Sequence, residues 1–82
     1  MPLYMDVHHL GSVTEGDAKL AHAADLATQD RHGVDYKKYW VNEATRTIFC
    51  LVEAPDAESA NLVHKEAHGL VADEIFEVTE HS

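Results

Sequence analysis

Cysteine and basic residues are scarce in this chain, and each of these shortages excludes certain classes of site or partner. Cys50 is the one cysteine, so the chain has neither an internal disulfide framework nor a pair of cysteines for a C-x-x-C motif. Six Lys and Arg residues stand against fifteen Asp and Glu residues, which gives a net charge of −9 with histidine neutral. A phosphate backbone or an anionic membrane surface would be repelled by this charge. We therefore expect no nucleic-acid partner and no membrane partner.

Long apolar runs are also missing. No stretch has the length of a membrane span, and no basic segment followed by an apolar one resembles a secretion signal, so we expect a cytoplasmic location. A hydrophobic fraction of 45% is that of an ordinary folded protein. We expect residues 1–82 to form a single domain, and a domain this short has a small core that a partner subunit would help to stabilise.

Histidine, in contrast, is abundant, with seven residues in the chain. Neutral imidazoles on an acidic background suit divalent cations. The alternative is that the acidity only keeps the protein soluble and that the histidines are scattered over its surface. Composition alone does not choose between these two interpretations.

Hydrophobic periodicity and turn residues predict four strands and two helices. The period-two alternation of PLYMDVHH and the β-branched and aromatic segments VDYKKYWVN, TIFCLVE and EIFEVT are typical of strands. Thr14 and Asp56 are suitable N-caps, and Gly33 and Gly69 are suitable helix stops. The predicted elements are a strand over 2–9, a helix from 14 to 32, a hairpin of strands over 34–42 and 47–53, a helix from 56 to about 68, and a strand over 74–79.

The order βαββαβ predicts a ferredoxin-like α+β sandwich, with an antiparallel sheet and both helices on one face. The third strand carries Phe49 and Leu51 on one face and Ile48, Cys50 and Val52 on the other. The second strand adds either Tyr36 and Trp40 or Tyr39 and Val41, depending on register. Because two helices cover only one face, we expect the other face to pair with a second copy, giving a homodimer of the dimeric α+β barrel type.

The clearest chemical pattern is the pair His64 and His68, four residues apart on the second predicted helix. This spacing places two imidazoles on one helix face, where they can share one metal ion. Glu66 lies two residues after His64 rather than one, so the pattern is not the HExxH motif of zinc proteases. The alternative is that both imidazoles are solvated on the helix surface.

His22 and Asp25 form a second pair of possible donors on the first predicted helix. In a ferredoxin-like fold we expect the first and third strands to be parallel, so that the two helices run the same way and His22 and His64 lie at a similar level. The alternative is a pair of unrelated exposed residues. His8 and His9 point to opposite faces of a strand, so at most one of them joins any site. We interpret Cys50, in the middle of a strand, as a small buried hydrophobic residue.

With these segments in place, HAADLATQDRHGV, YKKYW, FCLVEAPDAESA and VHKEAHGLVADEI together resemble the small nickel-binding proteins of Streptomyces type, a family long catalogued as a domain of unknown function. The resemblance implies a ferredoxin-like dimer that holds nickel through surface side chains and acts in nickel sequestration or detoxification. By this resemblance, the candidate nickel ligands are His64 and His68 and, with a looser match, His22 and Asp25.

The favoured function is therefore nickel(II) binding without catalysis, with affinity falling as pH drops through the histidine range near about 6.5. One alternative is a small cofactor-independent monooxygenase, which shares this fold and needs an apolar substrate cleft. Another is a protein-interaction module. Fold class alone does not choose among them.

Overall fold

A computed structural model describes all residues from 1 to 82 and places the elements in the predicted order. They are β1 (Leu3–His9), α1 (Glu15–Thr28), β2 (Asp35–Asn42), β3 (Thr47–Glu53), α2 (Ala57–Ala67) and β4 (Glu74–Val78). One sheet contains all four strands in the order β2-β3-β1-β4, and every neighbouring pair is antiparallel. The ferredoxin-like α+β fold is confirmed.

The helices begin where the cap residues predict. The Thr14 hydroxyl accepts the backbone N–H of Asp17, and the Asp17 carboxylate accepts the N–H of Thr14, so both members of a capping box are present. Asp56 caps α2 by accepting the N–H of Ser59. The first helix was expected to reach His32, but its last four residues, Gln29–His32, form a tighter 3₁₀ turn that ends at Gly33 with φ of +64°.

The strand directions correct one expectation. β1 pairs antiparallel with β3, with Asp6 opposite Cys50, so the prediction of parallel first and third strands is wrong. These two strands are sheet neighbours in the split βαβ topology, and each has its parallel partner one position further away. The helices that follow them run in opposite directions, so equal counts from the two helix starts do not mark equal levels.

A β-bulge in β2 decides which aromatic residues face the helices. Tyr36 pairs with Val52 and Lys38 pairs with Leu51, which leaves Lys37 as the extra residue. The bulge reverses the alternation, so Tyr36 and Tyr39 point to the same face. They join a core between the sheet and the helices whose buried members are Val13, Ala18, Val34, Tyr36, Ile48, Cys50, Val52, Ala54, Ala60 and Val63.

The opposite face of the sheet is apolar and open. Trp40 is 48% exposed and Phe76 is 51% exposed, with Phe49 between their strands on β3. The prediction that both sheet faces carry apolar side chains is thus confirmed, while the homodimer stays a prediction. Neither helix is long and apolar enough to cross a membrane.

Candidate metal centre

Three elements bring polar side chains into the core between sheet and helices. Asp6 and His8 are two residues apart on β1 and point to the helix face, and His64 lies on the inner face of α2. Asp25 comes from α1. These are strongly buried positions, since Asp6 is 0%, His64 is 1% and Asp25 is 2% exposed. Such burial of carboxylates and imidazoles is unusual unless they are paired or bind an ion.

The first set of donors, which we name the inner group, consists of Asp6, His8, Cys50 and His64. His64 Nε2 lies 2.9 Å from Asp6 Oδ2 and 3.2 Å from His8 Nε2, and His8 Nε2 lies 3.1 Å from Asp6 Oδ1. All four donor atoms lie within 4.8 Å of one another. Two ligands at right angles on an ion with bonds of about 2.1 Å are about 3 Å apart, so these separations match neighbouring ligands of one ion.

The second set, the outer group, consists of Asp25, His64 and His68. His64 Nδ1 lies 2.9 Å from Asp25 Oδ1. His68 Nε2 lies 3.0 Å from the same oxygen but forms no hydrogen bond, and its side chain is 14% exposed. His64 therefore belongs to both groups, with Nε2 facing the inner group and Nδ1 facing the outer group.

The charges in this cluster are unbalanced. No Lys or Arg side chain pairs with Asp6 or Asp25, whose ionic partners are His8, His64 and His68. Burial alone would lower the pKa of His64, but hydrogen bonds to Asp25 and Asp6 outweigh it and raise this pKa to about 9. The metal-free protein thus holds His64 as an imidazolium that donates from both nitrogens. Two carboxylates against this one cation leave a net negative charge.

The pKa values of the two carboxylates are shifted in the opposite direction to that of His64. Burial alone would raise the pKa of Asp6, but hydrogen bonds to His64 and His8 hold it well below its usual range. Burial alone would also raise the pKa of Asp25, but the hydrogen bond from His64 and the neighbouring His68 ring outweigh it and lower this pKa. Both carboxylates are therefore ionised and available as oxygen ligands wherever the protein is folded near neutral pH.

Tyr36 fixes the inner carboxylate from the sheet side. Its hydroxyl donates to Asp6 Oδ2 at 2.9 Å and lies 3.0 Å from the carbonyl oxygen of Ala60 on α2. Burial and the Asp6 charge raise the pKa of Tyr36, so the hydroxyl keeps its proton and its role as donor. Partners of this kind orient a ligand and tune its affinity for an ion.

A cavity of about 20 Å³ adjoins both groups, which is room for about one water-sized occupant. Its polar wall carries His8, His22, Asp25, His64 and His68, while Leu10 and Leu70 are among its apolar residues. Buried nitrogen atoms of His22 (Nδ1) and His68 (Nε2) have no hydrogen-bond partner. The donor set and these unpartnered nitrogens fit a metal ion.

Hydrogen bonding sets one constraint on His68. The backbone N–H of Leu70 donates to His68 Nδ1 at 3.1 Å, so a neutral ring carries its proton on Nε2, the atom that faces Asp25. A metal ion can replace that proton only if the ring changes tautomer and gives up the Leu70 bond. His64 has no such backbone bond to give up, because its Nδ1 meets Asp25 and its Nε2 meets Asp6 and His8.

The sequence identified part of this cluster. His64, His68 and Asp25 are brought together, whereas His22 lies across the cavity with its ring 4.7 Å from that of Tyr39 and belongs to neither group. His64 and Asp25 are buried rather than exposed, and the expectation that nickel is held by surface side chains stays a prediction. That any of the four binds metal stays a prediction.

Sequence reasoning missed one residue of the inner group and gave little weight to two others. Asp6 is the donor that it does not name, His8 is one of two histidines of which it allows at most one in a site, and Cys50 is interpreted there as a buried hydrophobic residue. The available signal was the polar triplet Tyr4, Asp6 and His8 on one face of β1. The alternation alone could not show that this face packs against the helices and that the opposite face, with Leu3, Met5 and Val7, does not.

The fold and the site together define a class: a small ferredoxin-like protein with a buried histidine and carboxylate cluster that can hold a metal ion. Comparison with known proteins identifies its family. A sequence model described as nickel responsive protein SCO4226-like matches residues 4–78. The chain therefore belongs to the SCO4226-like family of nickel responsive proteins.

A solved structure supports the same assignment. The crystal structure of SCO4226 from Streptomyces coelicolor A3(2) superposes with a TM-score of 0.89 at 40% sequence identity, covering 98% of this chain and 99% of that chain. No curated protein matches the sequence.

Proposed function

We propose that this protein binds nickel(II), without catalysis, in the buried cluster around His64. The observation that carries the proposal is the pair of buried carboxylates, Asp6 and Asp25, whose only ionic partners are imidazoles. A divalent ion that replaces one proton of the His64 imidazolium would neutralise the two carboxylates in full, which the imidazolium alone does not. Buried charges are stable only when they are compensated in this way.

The donor chemistry and the family name favour nickel among divalent ions. Imidazole nitrogen and carboxylate oxygen suit nickel, and nickel takes more ligands than two histidines supply. His64 with Asp6 and His8 on one side, or with Asp25 and His68 on the other, provides three such donors to one ion. The family to which the chain belongs is described as nickel responsive.

The cellular role that we propose is nickel sequestration or detoxification in the cytoplasm. A buried site favours retention of an ion over rapid release, and the free thiol of Cys50 suits a reducing compartment. Expression of the protein in a nickel-sensitive bacterial host should raise the tolerated nickel concentration, and the His64→Ala variant should not. Equal tolerance with both proteins would contradict this role.

The small volume of the cavity beside the histidines supports ion binding at that place; larger grooves of about 540 and 450 Å³ lie open on the surface, the first against Tyr39 and Trp40. Pockets that hold organic ligands have volumes of about 300 Å³ or more. The cavity beside the histidines has a volume of about 20 Å³, which suits an ion or a water molecule. No observation specifically favours the protein-interaction module.

We also propose that the protein is a homodimer that pairs through the open sheet face. Trp40, Phe49 and Phe76 give this face an apolar centre, and exposed apolar patches on small domains are typical of interfaces. A two-fold dimer covers the same face on both copies with one contact.

Calorimetric titration with nickel tests the metal site through alanine variants of the two helix histidines. His64→Ala should abolish binding, because His64 belongs to both groups, and His68→Ala should weaken it through the outer group alone. The double variant should lose no more than His64→Ala, since coupled neighbours do not contribute additively.

His81→Ala is the matched control, because His81 is exposed and its ring nitrogen bonds only to Thr79. Circular dichroism should show that each variant keeps its fold, and Asp25→Asn provides a second, milder perturbation of the outer group. A folded double variant that keeps full stoichiometry and affinity would contradict the proposed site.

A further inference from the structure

The cavity between the two helices and the sheet is bordered by nitrogen atoms that no other protein group satisfies. Nδ1 of His22 and Nε2 of His68 are both buried without a hydrogen-bond partner, and both residues line this cavity. Buried polar groups without a partner are rare in native proteins, because each has given up its hydrogen bonds to water. The cavity volume of about 20 Å³ is that of roughly one water-sized occupant.

We propose that this cavity binds one ordered water molecule, which His22 and His68 hold between them in the metal-free protein. The inference goes beyond the proposed function, because the water site needs no metal ion. It also gives a role to His22, which belongs to neither group of candidate metal ligands. Since His22 lies on α1 and His68 is the C-terminal cap of α2, the water joins the two helices.

Hydrogen bonding fixes the direction of the contact with His68. The backbone N–H of Leu70 donates to His68 Nδ1, so the neutral ring carries its proton on Nε2 and donates it to the water oxygen. Asp25 Oδ1 lies 3.0 Å from this nitrogen, but the two atoms form no hydrogen bond, so the nitrogen can serve the water. The water can then donate to Nδ1 of His22 in the tautomer that leaves this atom unprotonated.

Asp25 supplies a third contact from the same helix as His22. Its side chain is 2% exposed and also lines the cavity. His64 donates to Asp25 Oδ1, and the carboxylate has further lone pairs that can accept the second proton of the water. These contacts supply the roughly three hydrogen bonds that a buried water typically makes. The spacing of His22 and Asp25, three residues apart on one helix face, thus serves one shared water molecule.

The remaining walls of the cavity restrict its occupant to this size. Leu10, Ala21, Tyr39 and Ile48 are among the apolar and aromatic residues that line it. An apolar cavity of the same volume would stay dry, but the nitrogens and the carboxylate make this one polar enough to hold water.

A high-resolution crystal structure of the chelator-treated wild-type protein tests the proposal directly. We expect a peak of electron density in the cavity at about 2.7–3.2 Å from both His22 Nδ1 and His68 Nε2, without the anomalous signal of a metal. An empty cavity, or a peak with a metal's anomalous signal, would overturn the inference.

Relaxation dispersion of isotopically labelled water oxygen counts the buried waters in solution. His22→Phe keeps a ring of similar size against Tyr39 but removes the nitrogen, so it should lose one buried water per chain. His81→Phe makes the same change at an exposed position and should keep the wild-type count. An equal count in wild type and folded His22→Phe would overturn the inference, and the wild-type crystal structure decides the question if this variant does not fold.

Nickel titration of the same wild-type preparation separates this inference from the proposed function. A protein that binds nickel but has no water in the cavity when metal-free would overturn the water site alone. A protein that holds the water but binds no nickel would overturn the proposed function and leave the water site standing.

Discussion

The stability of the metal-free protein should depend on pH through His64. Its pKa is about 9 in the folded protein, against an ordinary value of 6.5. A group whose folded pKa is raised stabilises the fold fully below its unfolded pKa, and this contribution is lost as pH rises through the folded pKa. We therefore expect the free energy of unfolding to fall between about pH 6.5 and about pH 9.

The expected decrease in the free energy of unfolding follows from the shift in the His64 pKa. A difference of about 2.5 pKa units corresponds to about 3 kcal/mol at about 1.4 kcal/mol per unit. The side chain is 1% exposed, so solvent screens this interaction little. For a domain with an expected stability of about 5–15 kcal/mol, such a loss is readily measured.

Other groups titrate outside this window. Hydrogen bonds from His64 lower the pKa values of Asp6 and Asp25 despite burial, so their contribution is present above the unfolded value of 3.8 and is lost only at more acidic pH. Burial and the Asp6 charge raise the pKa of Cys50 above its ordinary value of 9.0, so its stabilising contribution begins to be lost near that pH. The measurement should therefore end at about pH 9.

Urea denaturation of chelator-treated protein across this range is the assay. Asp25→Asn removes a carboxylate that raises the His64 pKa and should shrink the fall, whereas Asp30→Asn makes the same charge change at an exposed position and should not. An unfolding free energy that stays constant or rises between about pH 6.5 and about pH 9 would refute the assignment of a buried His64 imidazolium.

Three further outcomes are expected. Nickel affinity should fall by up to about tenfold per pH unit below about 9, rather than only below 6.5, because the ion displaces one proton from His64; calorimetry at several pH values measures this. Tyr36→Phe should cost about 1–3 kcal/mol in urea denaturation and weaken nickel binding, since Asp6 loses a hydrogen bond. Trp40→Glu should shift the protein from dimer to monomer in analytical ultracentrifugation, whereas a wild type that sediments as a monomer would contradict the dimer.

Local signals were sufficient for the elements and their order. Thr14, Asp56, Gly33 and Gly69 act within one turn of their own position, so the helix boundaries they predict agree with the structure to within a few residues. Alternation along each strand is equally local. The ferredoxin-like fold then followed because few topologies accommodate βαββαβ.

Pairings between segments distant in the sequence could not be predicted from these local signals. The bulge at Lys37 places Tyr36 and Tyr39 on one face, although strict alternation would separate them. The direction of β3 relative to β1 was predicted wrongly, and with it the relative direction of the helices.

The sequence by itself determined which helix positions can share an ion, because spacing four apart fixes His64 and His68 on one face. The same periodicity named Asp25 as a possible donor beside His22, but only the tertiary structure placed it against His64 and His68. Only the tertiary structure decided that Asp6 and His8 complete the cluster and that His22 stays outside it. The physical reason is that a strand offers two equivalent faces, and packing against the helices, not the alternation itself, selects the one that is buried.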